Sequence, residues 1–197
     1  MANLIRFFER LFLVLLSTAF IIRVLPIIPA EPYLALFVFS EIVGVALILL
    51  QRRGEWTVQA FPVAIAFLGT ASALLVVPQG QRLAPDVVSM ILIIAGGTIA
   101  LLAKLSLGRS FGVIPANRGV KDRGVYRFVR HPMYFGYIVN HIGFLLLYFS
   151  PWNAGIYLFA WVCLWLRTKE EEKFLLNDAA YREYSAKVRS RLIPGII

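Results

Sequence analysis

One cysteine, two histidines and a charged fraction of 16% leave little material for polar chemistry in a chain of 197 residues. The single thiol, Cys163, closes no internal disulfide and builds no cysteine-based metal site. With no compact carboxylate cluster around the two histidines, no metal centre is expected. No Gly-x-Gly-x-x-Gly follows a strand pattern, so a Rossmann-type dinucleotide site is unsupported. No internal repeat is evident, which speaks against a transporter built from matching halves.

What the chain has in excess is apolar surface. Hydrophobic residues make up 59% of it, against roughly 45–50% in soluble domains. That excess needs a lipid solvent. Apolar runs fall at about 7–28, 33–50, 58–77, 87–105, 133–149 and 152–166. At roughly 20 residues per crossing they predict an all-α integral membrane fold of about six spans. The last two form a short hairpin around Ser150, Pro151, Trp152 and Asn153. Arg6 and Arg10 precede Leu11 to Ile22 as in a signal peptide, but the chain continues through Arg23, Pro26 and Pro29 without a small-x-small cleavage site. The segment is expected to stay as a first helix.

The net charge of +9 raises the question of nucleic acid. The basic residues flank apolar runs, however, so orientation in a bilayer explains them better and no nucleic-acid partner is expected. With both termini cytoplasmic, 18 of the 20 Lys and Arg residues fall on the cytoplasmic side, leaving Arg23 and Arg82 on the other. The expectation is one multi-pass membrane domain over 1–197. Residues 1–103 supply nearly featureless helices, and 104–197 carry the chemistry. Oligomeric state is not legible.

Polar residues concentrate in two stretches. Segment 104–136 holds seven basic residues and Gly108, Gly112, Gly119, Gly124 and Gly136. Within it, Gly124-Val-Tyr126-Arg127-Phe-Val-Arg130-His131-Pro132-Met-Tyr134-Phe-Gly136 is the most informative run. Pro132 suits the first position of a helix, because its missing N–H has no partner there. Arg130 and His131 then stand at a helix N-terminus, where an anion is favoured. Gly136 admits a second backbone or a flat ligand. Tyr134, Tyr137 and His141 share one helix face. A basic membrane anchor is the plainer alternative for this run.

The second stretch is Arg167-Thr-Lys-Glu170-Glu171-Glu172. Glu170 reads as solvated, whereas Glu171 and Glu172 are candidates to hold a positive group. Arg167, four residues before Glu171, can pair with it on one helix face. Glu41, an acid within the second span, is either functional or bonded to a neighbour. His141 reads as an interhelical packing histidine. Phe174, Tyr181, Tyr184 and Val188 form a stripe that suggests a C-terminal interfacial helix.

Taken jointly, Arg-His-Pro-x-Tyr-x-Gly and the later Arg-x-x-x-Glu-Glu-x-x-Leu resemble the isoprenylcysteine carboxyl methyltransferase family. The wider group includes phospholipid N-methyltransferases. The likeness runs over roughly 104–195 and takes in Leu107-Gly108-x-Ser110-Phe111-Gly112, Tyr181-x-x-Tyr184, Val188 and Ile193-Pro194-Gly195. It departs at Asn177-Asp178-Ala179-Ala180, where the family often has Phe-Gly and a longer segment.

The resemblance implies a membrane methyltransferase using S-adenosylmethionine on a lipid-like or prenylated acceptor reached through the bilayer. It places cofactor contacts at Arg130, His131, Pro132, Tyr134, Gly136, Glu171 and Glu172, and catalytic roles at Arg167 and Glu171. Glu171 or Glu172 would take the cofactor's ammonium or ribose hydroxyls, and Arg130 or His131 its carboxylate. Tyrosine rings would sit near the sulfonium. Arg167 would orient Glu171 or an acidic acceptor. Carboxyl O-methylation of an isoprenylcysteine-type substrate is the leading expectation. Phospholipid N-methylation, a sterol-type reductase using NADPH, and a small transporter or scaffold are the alternatives.

Overall fold

The computed structural model describes residues 2–57 and 59–195, with side chains from Phe7 onward. Val58, where the third apolar run was expected to begin, the Arg6 side chain and Ile196–Ile197 lie outside the described residues. The described chain is mostly helical: α1 Ala2–Val24, α2 Ala35–Leu49, α3 Ala60–Ala73, α4 Asp86–Leu107, α5 Pro132–Leu147, α6 Pro151–Leu175 and α7 Ala179–Lys187. A two-residue antiparallel pair joins β1 Glu55–Trp56 to β2 Ala116–Asn117.

Local chemistry sets the helix boundaries. Asp86 opens α4 after Pro85, an acid at the positive end of the dipole. Gly108, at φ +51°, ends it in a conformation that glycine adopts without strain. Pro132 and Pro151 occupy first-turn positions in α5 and α6. The Ser150 hydroxyl accepts from the Asn153 amide, and Asp178 caps α7 by accepting from Ala180.

Three stretches are long and apolar enough to cross a membrane: Phe7–Ile27, Pro32–Leu49 and Asp86–Ser110. Ala60–Ala73 and Pro132–Leu147 are apolar but shorter. Among the described residues, three of the six expected spans thus meet the length and composition of a crossing. In α6 the apolar stretch stops at Leu166, and the helix continues through Arg167 and three glutamates. Phe7, Leu15, Ile22, Phe39, Ile91 and Leu158 are each more than half exposed, so the helices present an apolar outer surface. Contiguous surface of this kind marks contact with lipid rather than water.

The last two long helices do not close on each other as a tight hairpin. Between them the turn is held by Asn153, whose side chain donates to the Val77 and Tyr148 carbonyls and accepts from the Val77 amide. From there α5 packs along α4, and α6 along α3. The α4–α5 contact is close because it is made of small residues. A Cβ on Gly136 would lie 2.6 Å from the Ala100 nitrogen, and one on Gly96 would lie 2.4 Å from that of Asn140. Gly136 therefore serves backbone packing, the first of the two uses its position allowed. The splayed legs leave space between them.

Lys104 departs from the sequence reading. Counted there as a flanking charge, it is 2% exposed and donates to the Ser40 carbonyl, the Ser40 hydroxyl and Glu41, the last at 3.2 Å. Glu41 also accepts from Ser17 at 2.9 Å. Glu41 is the neighbour-bonded acid, and the pair ties α1, α2 and α4 together. Lys104 then says nothing about which side a loop faces. Arg23 and Arg82 do gather at one end of the bundle, near Leu74 and Glu31, opposite the loop between α4 and α5.

Candidate active site

The α4–α5 loop is the scaffold of the site. Its segment Phe111–Ile114 is buried and strapped from three sides. Glu9 of α1, fully buried, accepts from the Val113 and Ile114 amides at 2.7 and 2.9 Å. Gln51 donates to the Phe111 carbonyl at 3.0 Å. Arg167 of α6 donates to the carbonyls of Gly112, at 3.3 Å, and Val113, at 2.5 Å. A Cβ on Gly112 would lie 2.4 Å from the Gln51 amide nitrogen, so this strap passes only over glycine.

Two cavities meet at this segment, and both are lined by Gly112 and Met133. The smaller, about 780 Å³ with its open mouth, is bounded by loop residues 107–121 and by Tyr126, Arg130, His131, Tyr134, Glu171, Tyr181 and Tyr184. The larger, about 1220 Å³ on the same measure, runs among α1 to α6 and is mainly apolar. Arg167 lines the larger one, and Glu171 the smaller.

Tyr134 stands at the junction. Its hydroxyl donates to Glu171 at 2.8 Å, and the Arg167 guanidinium lies over its ring at 5.2 Å. Arg167 and Glu171 are therefore neighbours through Tyr134; the i, i+4 ion pair expected between them is not formed. The second carboxylate oxygen of Glu171 has no hydrogen-bond partner among the described residues. Along α5 an aromatic ladder runs from one cavity to the other. His131 stacks on Tyr134 at 5.4 Å, Tyr137 on His141 at 6.3 Å, and His141 on Tyr157 at 4.2 Å. The shared face of Tyr134, Tyr137 and His141 is thus real, and His141 accepts from Trp161 at 3.2 Å as an interhelical histidine.

Glu172 takes a different role from the one expected. It accepts from Arg130 at 2.8 and 3.3 Å, from His131 at 3.0 Å and from Arg191 at 2.9 Å. Burial alone would raise its carboxyl, but the bonds from His131, Arg130 and Arg191 outweigh that and hold it at about 2. Glu172 lines neither cavity, and nor do Pro132 and Gly136. Arg130 spends its remaining donor on the Val188 and Arg189 carbonyls. The backbone amides of Arg130 and His131 donate to Ser190 and Arg191. The N-terminus of α5 is thus occupied by the chain's own tail. Glu170 makes no ion pair among the described residues, as a solvated residue would.

Several residues here were outside the sequence-based site. Tyr184 donates to the Tyr126 carbonyl at 2.7 Å, so the phenolic pair of α7 packs into the site wall and not onto a membrane surface. Burial pushes the Tyr126, Tyr181 and Tyr184 phenols above their ordinary range, so they remain protonated donors. The buried Tyr181 hydroxyl has no hydrogen-bond partner among the described residues. Lys121 lines the smaller cavity and has no ion pair among the described residues. Asp178 accepts from Asn117 at 2.6 Å, which lowers its carboxyl and docks the shortened turn before α7. The sequence signal for Glu9 is an acid at the start of the apolar run that begins at residue 7.

The stretch that holds this geometry is similar to known proteins. The model of the isoprenylcysteine carboxyl methyltransferase (ICMT) family matches residues 88–177. The chain is 34% identical over 110 residues to the protein-S-isoprenylcysteine O-methyltransferase of Saccharomyces cerevisiae, covering 52% of this chain and 46% of that protein. It is 33% identical over 109 residues to protein-S-isoprenylcysteine O-methyltransferase A of Arabidopsis thaliana, covering 51% and 55%. A probable protein-S-isoprenylcysteine O-methyltransferase of Oryza sativa is 31% identical over 113 residues, covering 53% and 59%. The chain spans about half the length of the curated relatives it matches. No solved structure matches. The family resemblance of the motifs stands, and its matched region contains both cavity junction residues, Tyr134 and Arg167.

Proposed function

We propose that this chain, similar over 88–177 to the isoprenylcysteine carboxyl methyltransferase family, is a membrane methyltransferase. It would use S-adenosylmethionine to methylate the carboxylate of a lipid-like, isoprenylcysteine-type acceptor. The observation that carries this reading is the meeting of the more polar cavity at the loop end with the mainly apolar cavity among the helices, where Arg167 of one lies over Tyr134 of the other.

The smaller cavity suits the cofactor's chemistry. It offers a carboxylate with one uncommitted oxygen, four tyrosines, one of which, Tyr181, has a buried hydroxyl without a partner among the described residues, and Lys121. Glu171 would hold the ammonium or the ribose hydroxyls, and Tyr126, Tyr134, Tyr181 and Tyr184 would supply flat faces and donors. Lys121 is the cavity group left to meet a carboxylate, since Arg130 and His131 are both committed to Glu172. The bound cofactor would supply an electrophilic methyl group.

The chain's part is alignment and exclusion of water. A carboxylate acceptor has no proton to lose, so no general base is required. Arg167, in the apolar cavity beside Tyr134, would hold that carboxylate in place. Glu172 is assigned to holding Arg130, His131 and Arg191, not to the cofactor.

Calorimetry of the purified full-length protein tests this. S-Adenosylhomocysteine is expected to bind in the micromolar range, about −8 kcal/mol, and NADPH not at all. Glu171→Gln should weaken S-adenosylhomocysteine about tenfold or more. Binding of NADPH without S-adenosylhomocysteine would overturn the transferase reading in favour of a reductase.

The charge distribution supports a multi-pass topology with both termini and the 108–131 loop in the cytoplasm. Asp122 and Glu183 are exposed. Cysteine at either position, in a Cys163→Ser background, should react with an impermeant thiol reagent only in opened cells. Labelling in intact cells would reverse the orientation.

A further inference from the structure

The larger cavity is mainly apolar, yet one part of its wall is polar and unsatisfied. Asn140 and His141 of α5 and Tyr157 of α6 all line it. They are 5%, 7% and 1% exposed. The Asn140 carboxamide makes no hydrogen bond among the described residues, and its Oδ1 is fully occluded without a partner. The Tyr157 hydroxyl makes none either. His141 Nδ1 accepts the Trp161 indole N–H, so a neutral imidazole carries its proton on Nε2. That Nε2–H is a third donor without a partner among the described residues.

Three such groups on facing helices are costly in an apolar bundle with no water to solvate them. They are not loosely placed. Tyr157 stacks on His141 at 4.2 Å, and a Cβ on Gly97 would touch the Asn140 Nδ2 at 3.5 Å. Each also carries a donor without a partner among the described residues: an imidazole N–H, an amide NH₂ and a phenolic O–H. These donors suit an oxygen with lone pairs; the occluded Asn140 Oδ1 is an acceptor and is not one of the atoms it would meet. Along α5, His141 is two turns from Tyr134, about 10 Å of helix rise.

We propose that Asn140, His141 and Tyr157 form a polar station for the acceptor. The acceptor would then be an S-lipidated cysteine of the isoprenylcysteine type whose lipid chain carries a keto or hydroxyl oxygen about 10 Å from the methyl-accepting group. This rests on reading the larger cavity as the acceptor's.

The test uses two synthetic acceptors of equal length, N-acetyl-S-alkylcysteines with a plain chain and with a keto group about 10 Å from the carboxylate. Equilibrium binding is measured to the purified full-length protein in lipid nanodiscs. The keto probe should bind about tenfold tighter than the plain one. Asn140→Leu and Tyr157→Phe should each remove most of that preference and leave plain-probe affinity within about threefold. Tyr157→Phe keeps the ring on His141, so it remains informative if the leucine variant fails to fold.

Equal binding of the two probes by the unaltered protein would overturn the station and assign the three groups to ordered water. A preference that survives both substitutions would overturn it as well. Methyl transfer to both probes is followed in parallel. Preferential keto binding without methylation of either probe would sink the transferase reading and leave the station standing.

Discussion

Arg167→Ala is expected to cut methyl transfer to a carboxylate acceptor by about 100-fold, some 2.7 kcal/mol of transition-state stabilisation. S-Adenosylhomocysteine affinity should stay within about threefold. The asymmetry follows from where the side chain lies. Arg167 lines the apolar cavity, bonds the Gly112 and Val113 carbonyls and covers the Tyr134 ring, while Glu171 sits in the other cavity.

Its buried Nε has no hydrogen-bond partner among the described residues, which leaves a donor for an acceptor's carboxylate. Arg167→Lys keeps the charge but loses the planar fork, and should recover only part of the rate. Single-turnover kinetics with calorimetry separates the cases. Parallel loss of cofactor affinity and rate would mean that Arg167 acts by supporting Tyr134 and Glu171. A rate that survives with an amine acceptor would point to N-methylation. No change in either quantity would move the site elsewhere.

Glu172→Gln should be the most damaging substitution for the fold of the C-terminal half. It strips the charge that Arg130, His131 and Arg191 share, leaving two half-buried guanidinium groups without their shared carboxylate at a cost of about 3 kcal/mol. In a domain of this size the melting temperature should fall by roughly 6–12 °C.

The pH dependence has a definite sign. The folded carboxyl lies at about 2, below its ordinary value of 4.5. Its contribution is therefore fully present above pH 4.5 and is lost as pH falls towards 2. Thermal melts across that window should show an acid-labile component in the unaltered protein that the glutamine variant lacks. A variant melting within a degree of the unaltered protein would show that the tail is held by other contacts.

Much of this arrangement was legible before any coordinates, for local reasons. Pro132 marks the start of α5 because a missing N–H matters only within one turn. Tyr134, Tyr137 and His141 share a face because helical periodicity is a local rule. Those same rules misled where a partner is distant. Spacing of four made Arg167 and Glu171 a plausible pair, but Tyr134, coming from α5, lies between them. Lys104 near the end of an apolar run looked like a flank because Glu41, 63 residues away, is invisible to a window. Glu171 and Glu172 looked equivalent, yet a helix turns about 100° per residue. That rotation aims one at the cavity and the other at Arg130, His131 and Arg191.

What the sequence by itself determined is the solvent and the half in which the polar residues concentrate. Apolar runs too long and too numerous for a soluble core require lipid, and the two polar motifs lie in the matched stretch or at its edge. These are properties of composition and short spacing, which no packing can alter. The tertiary structure alone decided the division of labour. Splaying α5 towards α4 and α6 towards α3 opens two cavities, and the Phe111–Ile114 strap lies between them. Which carboxylate is free and which is spent depends on how the tail folds back over the N-terminus of α5. That contact joins residues about 60 apart in sequence, and its chain-closure entropy is offset only once the helices have packed.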